Sequence, residues 1–264
     1  MIMMMKPQAI FFDIDGTLVS FKTQSIPASA KIAINRLKDQ GIKVIISTGR
    51  AFCDINNLEN LKFDGYITAN GTICFDSNGK IIAQHLISKE SLDRLALSLE
   101  ERPFPCTFIT DKGIFINCVN KQVLSVYQLV NIPVPPVRDV SEILKHSIFQ
   151  LSAFIDLERE TELLNHVLTN CNSSRWHPAF ADFNTENSSK ATGMDRFLAY
   201  FDIEDKCTMA FGDGGNDISM LKHATIGVAM GNATDDVKAA ANYVTDSVDE
   251  DGIINALKYF NILS

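Results

Sequence analysis

Two aspartates one residue apart, Asp13 and Asp15, stand in Asp13-Ile14-Asp15-Gly16-Thr17, directly after the apolar run Ala9 to Phe12. Like charges about 4 Å apart repel by roughly 4 kcal/mol at an effective dielectric near 20. Two carboxylates at the end of a buried strand therefore call for a cation between them, unless they only cap a turn facing water. An all-oxygen site suits Mg2+. Ser47-Thr48-Gly49-Arg50 also follows an apolar run and offers hydroxyls, an unhindered backbone amide and a guanidinium, groups that suit a phosphate. Taken alone, it is also an ordinary turn. In Phe211-Gly212-Asp213-Gly214-Gly215-Asn216-Asp217, Asp213 supplies a third acid for the metal and Asn216 an amide donor. Asp217 stands near a helix start, where negative charge is favoured. The glycine spacing is wrong for G-x-G-x-x-G, so a dinucleotide loop is excluded. Lys190 opens a helix in Ser188-Ser189-Lys190-Ala191, where the helix dipole disfavours a cation. That small cost points to a task, although a surface lysine would also fit.

The elements that must position these residues follow from the apolar pattern. Ala9 to Phe12 is apolar on both faces, as in a central parallel strand. Ala30, Ala33, Ile34 and Leu37 recur at helical spacing between Pro27 and Gly41. Lys43 to Ser47 reads as a second strand, Ala51 to Leu61 as a second helix and Gly65 to Thr68 as a third strand. This βαβαβ start predicts an α/β fold with a doubly wound, mostly parallel, Rossmann-like sheet. From Thr72 a hairpin is expected, with Thr72 to Phe75 and Lys80 to Gln84 flanking Asp76-Ser77-Asn78-Gly79.

Between Leu86 and Thr185 the rhythm becomes α+β. A helix carries Leu92, Leu95, Ala96 and Leu99, a hairpin turns at Asp111-Lys112-Gly113, and a second helix carries Val123, Val126, Tyr127 and Val130. Pro133 to Pro136, a strand at Ile148 to Phe154, a helix ending near Leu168 and short strands around Trp176 and Phe183 follow. After Asn187 the α/β rhythm returns, with a helix holding Met194, Phe197, Leu198 and Phe201. Strands at Cys207 to Phe211, Ile226 to Val228 and Tyr243 to Val244 come next. The layout is a discontinuous core, residues 1–85 and 186–264, interrupted by an inserted α+β domain, residues 86–185. Three of the four chemical segments then follow alternate strands of one sheet, at the carboxyl edge where such sheets bind ligands. The fourth opens a helix beside it.

Composition narrows the partners. The chain has 264 residues, 46% hydrophobic and 21% charged, which fits a folded globular protein and excludes bulk disorder. Lys and Arg number 24 against 32 Asp and Glu, a net charge of −8 that argues against nucleic acid. No stretch nears the roughly 20 apolar residues of a membrane span, and no secretory pattern opens the chain. A cytoplasmic protein with no membrane and no obligate protein partner is expected. Cys53, Cys74, Cys106, Cys118, Cys171 and Cys207 form no C-x-x-C pair and no zinc spacing, so they read as reduced core thiols. His85, His146, His166 and His223 match no ligand spacing either.

The four segments, in this order, resemble the signatures of the haloacid dehalogenase (HAD) superfamily of phosphatases. The position and α+β pattern of the insertion are similar to the cap of its Cof-type, class IIB branch, mostly sugar-phosphate phosphatases. The resemblance implies that Asp13 attacks phosphorus to give an aspartyl-phosphate. Asp15 would protonate the departing alcohol and later activate water. It also implies Mg2+ held by the Asp13 carboxylate, the Asp15 backbone carbonyl and Asp213. Thr48, Gly49, Lys190 and Asn216 match the phosphate contacts, with Asp217 supporting them from behind. Arg50, Asn70 and Gly71 fall where the family approaches its substrate, though Arg50 could pair with a surface acid.

In Arg175-Trp176-His177-Pro178-Ala179-Phe180-Ala181-Asp182, Trp176 and Asp182 suit a hydroxyl-rich ligand, while an aromatic cluster at a domain junction also serves packing. The implied activity is Mg2+-dependent hydrolysis of small phosphorylated metabolites, hexose phosphates foremost. A phosphomutase shares this cap class. A non-catalytic phospho-accepting switch uses similar residues, but receivers of that kind are short single domains without a large insertion.

Overall fold

A computed structural model describes Lys6 to Leu263 apart from Asn56 and Asn60. The first strand, β1 (Ala9–Phe12), is buried along its whole length, as its unbroken apolar sequence requires. Helix α1 (Ala28–Asp39) turns Ala30, Ala33, Ile34 and Leu37 inward, and β2 (Lys43–Ser47) then pairs parallel to β1. The helix expected between Ala51 and Leu61 does not form among the described residues. A single short turn of 3-10 helix, Phe52–Asp54, takes its place. The asparagines at 56, 57 and 60 weaken helix propensity; Asn56 and Asn60 themselves lie outside the described residues. Phe52 instead stacks on Phe75 at 4.4 Å between ring centroids.

Strand β3 (Gly65–Thr68) pairs parallel to β2, and β4 (Ile73–Asp76) and β5 (Ile81–Gln84) continue the same sheet antiparallel. The hairpin between them closes where Asp76 Oδ1 accepts the amides of Asn78 and Lys80, each at 2.9 Å.

The chain then builds a second layer. Helix α2 (Lys89–Glu101), strands β6 (Cys106–Thr110) and β7 (Gly113–Ile116), helices α3 (Lys121–Leu129) and α4 (Val140–Ile143) and strand β8 (Ile148–Ala153) come first. Helix α5 (Leu157–His166), β9 (Cys171–Ser174) and β10 (Ala181–Thr185) complete it. Trp176 sits in the loop between β9 and β10 rather than on a strand. The antiparallel order is β7-β6-β8-β10-β9. Period-2 alternation divides its faces. Phe108, Leu151 and Phe183 pack with Leu95 of α2 and Leu163 of α5, leaving Thr107, Gln150, Ser152 and Asp182 for the opposite face, toward the first layer. We call this layer the cap.

The return path runs through α6 (Lys190–Phe201), β11 (Thr208–Gly212), α7 (Ile218–His223) and β12 (Ile226–Ala229). It ends with α8 (Asp235–Ala240), β13 (Tyr243–Val244) and α9 (Gly252–Tyr259). The large sheet has the order β13-β12-β11-β1-β2-β3-β4-β5, its first six strands parallel. Helices α1 and α9 bury Ile10, Phe12 and Ile46 on one face. Helices α6, α7 and α8 bury Phe11, Ile45 and Ile67 on the other. The fold is therefore doubly wound α/β. Phe12 and Phe211 stack at 4.9 Å across the β1–β11 seam, each ring contributing about 1.5 to 3 kcal/mol by its burial.

Winding starts at β1, runs outward through β2 and β3, and resumes on the other side of β1 with β11. The order reverses there, so the loops after β11, β1 and β2 open beside one another at a topological switch point. The strands that carry the chemical segments are thus neighbours, where alternation was expected.

No disulfide links the six cysteines. Cys74, Cys106 and Cys207 are buried, but Cys53 and Cys118 are exposed and Cys171 is half-buried, so the core-thiol reading holds for only three. Among the described residues no helix is long and apolar enough to cross a membrane.

Candidate active site

Strand β1 delivers Asp13 to the switch point, where the side chain is 6% exposed. Lys190, at the first turn of α6, is fully enclosed and donates to Asp13 Oδ1 at 2.6 Å and to Asp217 Oδ1 at 2.5 Å. The other oxygen of Asp217 accepts the amides of Asp213 and Gly214, each at 2.9 Å. Asp217 thus ties the glycine-rich loop to the lysine. Asp213 is held by the Thr17 hydroxyl at 2.7 Å and by Asn232 Nδ2 at 3.2 Å. Asn232 also donates to the Gly16 carbonyl at 2.9 Å, which locks the first loop to the loop after β12.

Asp13, Asp213 and Asp217 each bring a carboxylate oxygen within 4.8 Å of the others. One ammonium faces these three acids, and the surplus negative charge raises Asp13 and Asp213. Burial, then Asp217, pushes Asp13 up to about 7, against the pull of Lys190. Burial, then Asp13 and Asp217, pushes Asp213 well above the usual carboxylate range. A buried cluster so short of positive charge fits a divalent cation. Asp217 is already committed to Lys190 and two amides, which leaves Asp13 and Asp213 as the side chains best placed to serve one.

Asp15 lies beside this cluster but faces a different partner. Arg50 grips both its oxygens, Nε to Oδ2 at 2.7 Å and Nη2 to Oδ1 at 2.6 Å. Thr48 and Gly49 line the same cavity from the end of β2, and the Thr48 hydroxyl accepts the Arg50 amide at 3.1 Å. Asn216 reaches the cavity too and donates to Asn70 Oδ1 at 3.0 Å. Asn70 stands behind the wall at φ 52, a left-handed conformation asparagine tolerates. Its amide nitrogen donates across the layers to Asp182 Oδ2 at 2.9 Å and Gln150 Oε1 at 3.2 Å.

Gly71 is also outside the cavity and turns at φ 90 against the start of α6. A Cβ there would come within 1.9 Å of the Ser189 carbonyl oxygen. Ser189 caps α6 by a reciprocal box with Thr192, so the missing side chain lets Lys190 reach Asp13. Gly71→Ala is expected to cost roughly 2 to 4 kcal/mol in urea melts, from the left-handed backbone and the forced overlap together. Gly41→Ala, at φ 76 with nothing within 4 Å of its Cβ, should carry only the smaller backbone part of that cost.

The cavity between the layers holds about 240 Å³. Asp13, Asp15, Thr48, Gly49, Asp213 and Asn216 form its floor. Ile109, Tyr127, Val130, Phe154, Trp176 and Phe180 form an apolar wall on the cap side, broken by Thr107, Ser152 and Asp182. Burial pushes Asp182 up to about 6, while hydrogen bonds from Ser152 at 2.5 Å and Asn70 hold it down. Trp176 both lines the cavity and packs edge-on against Phe180 at 5.2 Å. The loop it belongs to rests on the glycine-rich segment, since a Cβ at Gly215 would meet the Arg175 carbonyl oxygen at 2.4 Å.

Thr17, Gln150, Ser152 and Asn232 belong to this arrangement without having been singled out by the motifs. Their signals lie in the sequence. Gln150 and Ser152 alternate with apolar neighbours in Ile148-Phe149-Gln150-Leu151-Ser152-Ala153, and Asn232 follows a parallel strand just as Asp13, Thr48 and Asp213 do.

The model of the haloacid dehalogenase-like hydrolase family matches residues 10–257. YkrA of Bacillus subtilis (strain 168), named as a candidate phosphatase, is 33% identical over 98% of this chain and 100% of its own. The HAD subclass IIB sugar phosphatase BT4131 superposes with a TM-score of 0.92 at 43% identity, covering 97% of this chain and 100% of that one. The HAD-superfamily phosphatase BT1666 from Bacteroides thetaiotaomicron gives 0.90 at 37% identity, over 98% and 96%.

Proposed function

The chain belongs to the haloacid dehalogenase-like hydrolase family and is a phosphatase, and from that premise we propose that it hydrolyses phosphomonoesters of small, hydroxyl-bearing metabolites, hexose phosphates foremost, through a phosphoryl group carried transiently on Asp13. The observation that carries this reading is the position of Asp13 on the cavity floor with one oxygen tied to Lys190 and the other unengaged by any donor among the described residues. The free oxygen attacks phosphorus and the ester P–O bond breaks. Asp15 gives its proton to the departing alkoxide, then takes one from the water that cleaves the aspartyl-phosphate and regenerates Asp13.

An ammonium has three donors, and Lys190 spends two on carboxylates. We assign the third to a phosphoryl oxygen, together with the Thr48 hydroxyl, the Gly49 amide and Asn216, which line the cavity. Asp13, Asp213 and the Asp15 backbone carbonyl would hold Mg2+, which when bound offsets the charge of the incoming dianion.

Aromatic and aliphatic faces interspersed with Asp182, Ser152 and Thr107 suit a sugar, which has apolar faces and a polar rim. The name of BT4131 as a sugar phosphatase supports the same class. Trp176 and Asp182 are the cap residues we assign to the leaving group.

A screen of phosphorylated sugars, nucleotides and cofactors for released phosphate, with and without Mg2+, tests the proposal. Many turnovers on sugar phosphates, abolished by EDTA, are expected. A single stoichiometric phosphorylation would make the chain a switch, and an isomerised hexose phosphate without free phosphate would make it a mutase. Mg2+ should also raise the melting midpoint, because it binds only where the carboxylates are gathered; at about 100 times its Kd the gain is about 2.7 kcal/mol. Asp213→Asn should erase that gain, and a midpoint indifferent to Mg2+ would count against the site.

A further inference from the structure

Arg50 has five N–H donors, and four of them are spent inside the protein. Its Nε and Nη2 hold Asp15, its Nη1 reaches the Asp54 carbonyl at 3.1 Å, and Nη2 also reaches the Val130 carbonyl at 3.2 Å. The guanidinium edge that could clasp a phosphate is therefore occupied by Asp15. Asp15 and Asp54 belong to the first layer, whereas Val130 ends helix α3 of the cap.

The last carbonyls of a helix have no partner within it and form its negative pole. On α3, two of them are satisfied from the other layer, Val130 by Arg50 and Leu129 by Gln24 Nε2 at 3.0 Å. Arg50 is nearly enclosed, its side chain 7% exposed. A guanidinium is a rigid plane, so a shift at the Val130 end moves the end that holds Asp15. Lifting the cap would remove the Val130 anchor and leave the guanidinium that orients Asp15 held from behind by the Asp54 carbonyl alone.

We propose that Arg50 is a positioning residue that links seating of the cap to the orientation of Asp15. The inference rests on the phosphatase reading, in which Asp15 protonates the departing alcohol. Arg50 thereby makes proton delivery conditional on a seated cap.

Leaving-group dependence separates this role from others. A sugar phosphate needs the acid, whereas p-nitrophenyl phosphate leaves as a stabilised phenolate and does not. General acid catalysis contributes about 10²- to 10⁴-fold. In single-turnover measurements of phosphoryl transfer to Asp13, Arg50→Ala and Arg50→Lys are expected to slow transfer from the sugar phosphate by about 100-fold, and from the aryl ester by less than about threefold. Because Arg50 acts through Asp15, the Arg50→Ala/Asp15→Asn protein should lose no more on the sugar phosphate than Asp15→Asn alone.

Trp176, the single tryptophan, lies in the cap loop against Gly214 and reports seating. Acrylamide quenching of its fluorescence should rise in Arg50→Ala and in Gln24→Ala. Equal slowing of phosphoryl transfer from both esters, a loss confined to KM, multiplying losses in the double variant, or unchanged quenching would each overturn the inference. If Arg50→Ala does not fold, Arg50→Lys carries the same tests. Should the parent protein release phosphate from neither ester, the phosphatase reading of the site fails instead.

Discussion

Asp13→Asn is expected to fold as the parent does and to release phosphate at less than about one ten-thousandth of the parental rate, the scale seen when a covalent nucleophile is removed. An amide oxygen is a poor nucleophile, but it fills the same space and still accepts from Lys190. Stability should not fall, because the substitution removes one of three crowded carboxylates. The sign of the pH dependence supports this. Asp13 titrates at 3.8 in an ordinary setting and near 7 when folded without metal, so between those values the folded chain binds more protons than the unfolded one. Its contribution therefore weakens stability as pH rises from about 4 to 7. The Asn variant should show a flatter stability profile across that window in metal-free denaturant melts. Retained hydrolysis of an aryl phosphate would remove Asp13 from the role of nucleophile.

Lys190→Met should fail in both respects, losing activity and stability together. Methionine fits the space but leaves Asp13 and Asp217 facing each other without a counter-charge in a fully buried position. Removing one partner of a buried ion pair costs about 3 to 5 kcal/mol, far more than a surface pair would. A urea midpoint lowered by that amount at unchanged m-value is the expected result. Adding Asp217→Asn should recover part of the stability, since one uncompensated charge disappears, and none of the turnover. A Lys190→Met protein as stable as its parent would mean that the pair contributes little to the fold.

Strands β1, β2 and β3 are legible because each is a short apolar run bounded by polar or glycine residues, and helices α1, α2, α3 and α6 because their apolar positions repeat at helical spacing. The segment from Ala51 to Leu61 shows the limit of that pattern. Phe52, Ile55 and Leu58 mimic one helical face, yet aromatic stacking on Phe75 and low-propensity asparagines favour a turn.

Asp13, Thr48, Asp213 and Asn216 stand out because each follows a parallel strand with residue types that suit phosphate or metal. Their partners do not. Lys190 meets Asp13 and Asp217 only because α6 packs under the switch point, and Arg50 meets Asp15 only because β1 and β2 are neighbours. The hydrogen bond from Asn70 to Asp182 depends on how the cap folds back over the sheet. Such pairings belong to tertiary arrangement, which local periodicity does not encode.

The placement of the cap within the chain also governs the order in which the protein assembles. Ala9 pairs with Lys43 on one side of β1 and with Thr208 on the other. During synthesis the central strand therefore keeps one bare edge until nearly the whole polypeptide has emerged, while every strand of the cap is already available to its neighbours. Long-range pairing of this kind slows folding, and an unpaired strand edge invites association with other chains. A translation product ending between Thr185 and Thr208 would carry a finished cap on an unfinished sheet, with the most apolar strand of the molecule open along one side.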